Sequence, residues 1–547
     1  MTQLAQPLDS APDAEAGTST LSPTKAPATL TIISLLIGAA FAAPLTYIAW
    51  RNLTLGSDLW AEISDPEVLA ALGRSALLAT VVSATAAVAG TATAWLTTRT
   101  DLPLRRMWRV LAPLPLIYPS FVGAAAIVAA FDTGGLIEQW LEPLGVGALP
   151  DVEGFWASWL VLTLFTYPFV HLPVAARLRT LPPSLEESAR LLGGSPRRVF
   201  RTVVLPQTAP SIWAGSLLVF LYTLSDFGVV DILRYNTLTR EIYTNRVYDQ
   251  PRAMALALLL GIFAVLVVTA ERSVNKRRPV TEASGRSRPH QVALRHWRWP
   301  AFAFMLAFLG NALLGPMLSL AWWASKGFAN EGWGHLGQLL SEVSQPALNS
   351  AWISVISALI AVVAVLPVAY LTARHRNRPG GLANAFVVGG FALPGLAVAL
   401  AAVFWALNTP GASAFYQTFF LLVFAYVVHF GAQSMRASQV AVAAVPTRLE
   451  DAARTLGAGR WRRLLTLELP LMLPGLLAGG GLVLLSVMKE LPATLMLAPI
   501  GFKTLAIEIW TAHEDAFFAE MGSAAIVLVV LSGFLTWLLV IRRAESY

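Results

Sequence analysis

Apolar stretches of about 20 residues, the length that crosses a bilayer as a helix, recur twelve times along the chain. They cover approximately residues 29–50, 70–98, 110–131, 155–179, 209–233, 252–271, 299–325, 347–373, 383–407, 414–436, 471–497 and 518–541. The polar segments between them are short, so the pattern predicts an all-α membrane protein of about twelve transmembrane helices.

The pattern also repeats. Ser75 to Arg99 is similar to Ser350 to Arg374, and Pro119 matches Pro394 in the same register. Further on, Thr237 to Thr244 recurs as Thr504 to Thr511 at a smaller offset. The second half is therefore shorter, most simply in the loop around 132–153. Six spans per half give both halves the same orientation, hence parallel repeats about an axis along the membrane normal with a pathway between them. The expected organisation is a disordered tail at 1–28, a first repeat at 29–271 with its core from about 70, a polar linker at 272–298, and a second repeat at 299–543 with its core at about 346–542.

The most regular duplicated block runs from Pro182 to Pro206 and again from Pro446 to Pro470, with its spacing kept throughout. Each copy holds an acid and two small residues, then a glycine, then Leu-Pro. These are Glu187, Ser188, Ala189, Gly193 and Pro206 in the first copy, and Asp451, Ala452, Ala453, Gly457 and Pro470 in the second. The spacing predicts a short helix, a turn and a second helix, with each glycine taking the positive φ that ends the first. Ser184 with Glu187, and Thr447 with Glu450, have the spacing of reciprocal capping boxes. Arg197, Arg198, Arg201 and Arg460, Arg462, Arg463 supply a charged face to each second helix. One basic amphipathic loop is ordinarily a solvated face; two in identical register between apolar spans point to a docking element.

A chain that is 56% hydrophobic and 13% charged fits the membrane reading, and with no cysteine it has neither disulfides nor thiolate chemistry. The net charge of +7 follows membrane sidedness rather than nucleic acid. With the N-terminus inside, 30 of the 39 Lys and Arg fall on the cytoplasmic side, as do both termini and both duplicated loops. Outer loops carry the acids, and Trp60, Trp140, Trp156 and Trp159 suit the interface. There is no phosphate-binding GxxxxGK[ST], no HExxH and no GxSxG, so the chain carries no recognisable catalytic constellation.

Candidate chemistry lies within the membrane. Asp226 and Glu490 stand at equal spacing beyond Pro206 and Pro470, and Gly228 and Pro492 two positions later could break the helix there. Intramembrane carboxylates line a cavity or find a partner. Facing carboxylates suit a hard cation in a substrate pathway; the structural reading has Asp226 capping a helix and Glu490 paired with Lys489. His171 and His429, on the spans before the loops, fit helix packing better than a metal, and no metal ligand is assigned.

The duplicated block resembles the EAA loop of ABC-importer permeases, with Asp451 and Ser188 as departures. Ser225 to Leu233 and Met488 to Trp510 extend the resemblance to the fused ferric-iron permease subunits, over about residues 30–543. What the resemblance implies is a type I importer of MetI-like domains in the bacterial inner membrane. Its partners would be two copies of an ABC ATPase at the two loops, a periplasmic ferric-binding protein and membrane lipid, with no nucleic acid. This chain would bind no cofactor, since ATP-Mg would sit on the ATPase. Thiamine, polyamine and 2-aminoethylphosphonate permeases share this layout. An ion-coupled secondary transporter is an alternative of another class, though it has no reason to keep two such loops in register.

Overall fold

A computed structural model describes residues 26–54, 57–145, 149–275, 291–331, 333–375, 377–390, 393–536 and 538. The tail expectation, apart from 26–28, and residues 276–290 of the linker lie outside the described residues. Among the described residues there are helices and no strand, apart from an isolated bridge between Thr100 and Val292. Among the described residues eleven helices are long and apolar enough to cross a membrane, or twelve if a bent pair counts as one span.

The two halves are built alike. Pro66–Arg99 packs on Pro168–Thr180 and Leu205–Ser225, and Trp333–Arg374 packs on Phe419–Ala444 and Leu469–Met488. In both, a serine on the long helix ties down the same later element. Leu238 N–H donates to Ser75 Oγ at 2.9 Å, and Leu505 N–H donates to Ser350 Oγ at 2.8 Å. Each bond satisfies an N–H at the start of a helix, one of the orphan donors of a helix terminus. The outermost helices interlock the halves. Ala28–Leu53 lies against Arg378–Gly390 of the second half, while Gly315–Glu331 lies against Ser120–Phe131 of the first.

The third and ninth expected spans are not straight helices. The third, at 110–131, is split into Arg105–Leu111, a 3-10 turn at Leu114–Ile117 and Ser120–Phe131. The ninth, at 383–407, bends by 103° between Arg378–Gly390 and Gly395–Asn408. The cause is the duplicated proline. Pro119 and Pro394 both take extended ψ, 140° and 141°, immediately before the second helical piece, and a proline also pushes the residue before it out of the helical region.

Candidate functional site

The duplicated loops fold as the same helix, turn and helix. Pro183–Leu191 is followed by Gly193 at φ +81°, and Thr447–Thr455 by Gly457 at φ +77°. No atom stands within 4 Å of a Cβ added at either glycine, so backbone conformation alone selects the residue. Glu187, Ser188, Asp451 and Ala452 are exposed, and Ala189 and Ala453 are half-exposed. Leu191, Leu192 and Leu456 stand 88%, 88% and 87% exposed at the tips, a free apolar surface of the kind that docks a protein. Beyond each turn the helix widens into a π segment, Phe200–Val204 and Leu464–Glu468, directly before Pro206 and Pro470 at the head of the next helix. Proline donates no N–H, and a π turn accommodates the missing bond.

The capping boxes do not form. The N-caps are Pro182 and Pro446, with no side-chain cap on either. The extended ψ of these prolines, 126° and 128°, starts each helix earlier than expected. The buried acid has another role. Arg99 Nη1 donates to Glu186 Oε1 at 2.8 Å with both side chains buried. Arg374 Nη2 lies 2.6 Å from Glu450 Oε1, again with little exposure. Burial pushes the Glu450 carboxyl up, against the pull of Arg374. These pairs join the end of a long membrane helix to each exposed loop. Sequence reasoning passed over them, although Arg99 and Arg374 are repeat equivalents, as are Glu186 and Glu450.

The second loop carries additional charges. Arg463 Nε donates to Glu468 Oε1 at 3.3 Å, and Tyr370 Oη donates to Glu468 Oε2 at 3.1 Å. Arg463, expected on the charged face, is thereby turned inward at 10% side-chain exposure. The matching positions of the first repeat are Val199, Val204 and Trp95, and Trp95 meets Phe200 edge-on with ring centroids 4.8 Å apart.

Within the membrane, Asp226 and Glu490 occupy equivalent breaks. Asp226 follows Leu205–Ser225, and its carboxylate accepts from Val229 N–H at 2.9 Å and from Ser120 Oγ at 2.5 Å. Tyr222 Oη donates to the same serine at 2.9 Å. Glu490 accepts from Ala493 N–H at 3.1 Å. Each carboxylate thus caps the short helix that follows it, Gly228–Ile232 or Pro492–Leu497. Gly228 and Pro492 begin those helices rather than ending the previous ones. Lys489 does not pair with Glu490; its Nζ donates to the Leu116 carbonyl at 2.8 Å, reaching across to the first repeat. Next after each carboxylate in the chain, Phe227 and Leu491 are both 1% exposed and share the same backbone conformation, φ −105°, ψ −47° and φ −108°, ψ −56°. A Cβ on Gly228 would lie 3.5 Å from Leu491 Cδ2, so the two breaks meet.

The histidines have different surroundings. His171 Nδ1 shares a hydrogen bond with Thr93 Oγ1 at 2.9 Å, whereas His429 Nε2 lies beside Gly395, 3.2 Å from where its Cβ would be. Gly395, standing where the first repeat has Ser120, leaves room for the longer Glu490, whose Oε1 lies 2.9 Å from the same point. No group of three or more His, Asp or Glu able to hold a metal occurs among the described residues. Asp231 pairs with Arg240 at 3.0 Å and Glu508 with Lys503 at 3.1 Å.

Two exposed loops in one register, each tied to the membrane helices, and two capped breaks that meet describe a pair of matched half-units. The family model for the binding-protein-dependent transport system inner membrane component matches this chain twice, at residues 86–278 and 365–543. The chain belongs to this family. It is therefore the permease subunit of an ABC importer, a multi-pass inner-membrane protein with two type I, MetI-like half-units fused in one chain. Similar proteins include the Fe(3+)-transport system permease protein FbpB 2 of Haemophilus influenzae, 30% identical over 94% of this chain and 99% of that protein. The molybdenum transport system permease protein ModB of Mycobacterium tuberculosis is 32% identical over 45% of this chain and 92% of its own length. The sulfate transport system permease protein CysT of Escherichia coli is 29% identical over 45% of this chain and 88% of its own.

Proposed function

We propose that this permease imports ferric iron across the bacterial inner membrane, driven by ATP hydrolysed on a separate ABC ATPase. The observation that carries the cargo reading is the similarity to a relative named for Fe(3+) that aligns across both repeats, whereas those named for molybdenum and sulfate align over 45% of the chain. The carboxylates of Asp226 and Glu490 support it, since a hard cation seeks oxygen ligands and an oxyanion avoids them.

In this reading both termini and both loops face the cytoplasm. Two ATPase copies, holding ATP-Mg, seat the loops formed around Glu187, Ser188, Ala189 and Gly193 and around Asp451, Ala452, Ala453 and Gly457. Pro206 and Pro470 then hand the motion to the helices that end at the two breaks. A periplasmic ferric-binding protein delivers cargo to the outer face. ATP binding closes the ATPases and opens the pathway outward; hydrolysis resets it. Asp226 and Glu490 take the cation once Phe227 and Leu491 separate, and Lys489 holds the two repeats in register through Leu116.

The test is ferric iron flux into vesicles holding the assembled transporter. Asp226→Ala together with Glu490→Ala lowers flux while the ATPase still co-purifies; unchanged flux removes the two carboxylates from the pathway. Gly193→Val together with Gly457→Val releases the ATPase, and retention of both copies would remove the loops from the docking role.

A further inference from the structure

A groove of about 750 Å³ runs between the long helix Pro66–Arg99 and the helix that leads from the first loop into the membrane. Ala87, Thr91 and Ala92 line one wall, Phe200 and Ile212 the other, and Trp95 stands at the loop end. Arg197 and Arg201 line that same end. Both arginines are exposed, and neither has an ion-pair partner among the described residues. Ala87 and Trp95 are two helical turns apart, so the groove extends roughly 12 Å along the helix at about 1.5 Å per residue. Thr91 Oγ1, buried on the way, has no hydrogen-bond partner.

The matching region of the second repeat is packed differently. Its matching residues Val362, Leu366, Tyr370 and Leu464 pack together against a buried cluster that includes Val442, Met472 and Leu476. Trp461 and Leu465 stand in place of Arg197 and Arg201. Val362 and Leu366 are bulkier than Ala87 and Thr91, and the two matching arginine positions are uncharged.

We propose that the first-repeat groove holds one anionic phospholipid of the inner leaflet, its phosphate on Arg197 and Arg201 and an acyl chain between the two helices. An apolar hollow facing hydrocarbon is filled by lipid, and basic pockets between membrane helices on the cytoplasmic side select acidic headgroups. Thr91, on the groove wall, lies about one helical turn deeper than Trp95. The lipid bridges the long helix and the loop helix at the place where the second repeat uses its own side chains. The inference rests on the proposed placement of this loop at the cytoplasmic face.

The test is native mass spectrometry of the full chain titrated with phosphatidylglycerol, and with phosphatidylcholine in parallel. The wild-type chain retains one phosphatidylglycerol and does not retain phosphatidylcholine at the same concentration. R197Q/R201Q binds at least ten-fold more weakly. A87V/T91L, which installs the second repeat's residues and keeps both arginines, also loses the lipid, so the result does not hang on one variant folding. Inorganic phosphate does not displace it. Equal retention by wild type and A87V/T91L, equal binding of phosphatidylcholine, or displacement by phosphate would each overturn the proposal. The count is read on the chain alone, so failure of ATPase docking would sink the transport reading without altering it.

Discussion

At the first loop, the exposed helix is joined to the membrane core by the Arg99 and Glu186 pair, the Trp95 and Phe200 ring contact, and an open groove flanked by arginines. At the second, the same positions hold two ion pairs and a tyrosine, and Val362, Leu366 and Leu464 pack against a buried apolar cluster. Both loops end in the same positive-φ glycine and present the same exposed leucine. The turn and its exposed leucine are therefore held constant while the mounting diverges. In a fused chain the two loops no longer come from one sequence, so each mounting is free to change while the turn geometry stays fixed.

The largest expected effect comes from removing one arginine. Arg99→Met strands Glu186 in a buried site, at a cost of about 3–5 kcal/mol. Arg374→Met should cost less, because Arg463 still acts on Glu450. Thermal melting of the assembled permease, with hydrogen exchange of each loop helix, measures both; equal losses would break the comparison. Adding Glu186→Leu to Arg99→Met should recover most of the loss.

Exchanging the mountings is the next test. Glu468→Val, which installs the first repeat's residue, leaves Arg463 and Tyr370 without their acceptor and costs about 1–3 kcal/mol. Arg463→Val beside it should be close to neutral, and a double-mutant cycle reads the coupling. Additive effects would mean the pair is not a unit. The smallest effect is expected at the turns: Gly193→Ala and Gly457→Ala each place a Cβ at positive φ, for about 1–2 kcal/mol. The two losses should match, and unequal ones would show that the mounting strains one turn.

Much of this was legible in the sequence because it is local. Apolar length marks the spans, and a fixed offset marks the repeat and the glycine turns. Pro119 and Pro394 were visible as a matched pair, yet their bends were not predicted because apolar length carries no signal for direction. The capping boxes failed because Pro182 and Pro446 take the N-cap positions, and Glu450, placed correctly for a cap, has within reach Arg374, which comes from a different helix far earlier in the sequence. Lys489 was assigned to its neighbour Glu490, whereas its acceptor, Leu116, is 373 residues away in the other repeat. The groove depends on side-chain volume across two distant helices, which periodicity does not register.

Radiolabelled ferric iron uptake under iron limitation, in cells lacking this chain and in cells with it restored, tests the central claim most directly, with thiamine, putrescine and 2-aminoethylphosphonate measured in parallel. The account predicts that iron uptake alone is lost and that the restored chain returns it. Normal iron uptake in cells lacking the chain, with loss of another solute, would contradict it.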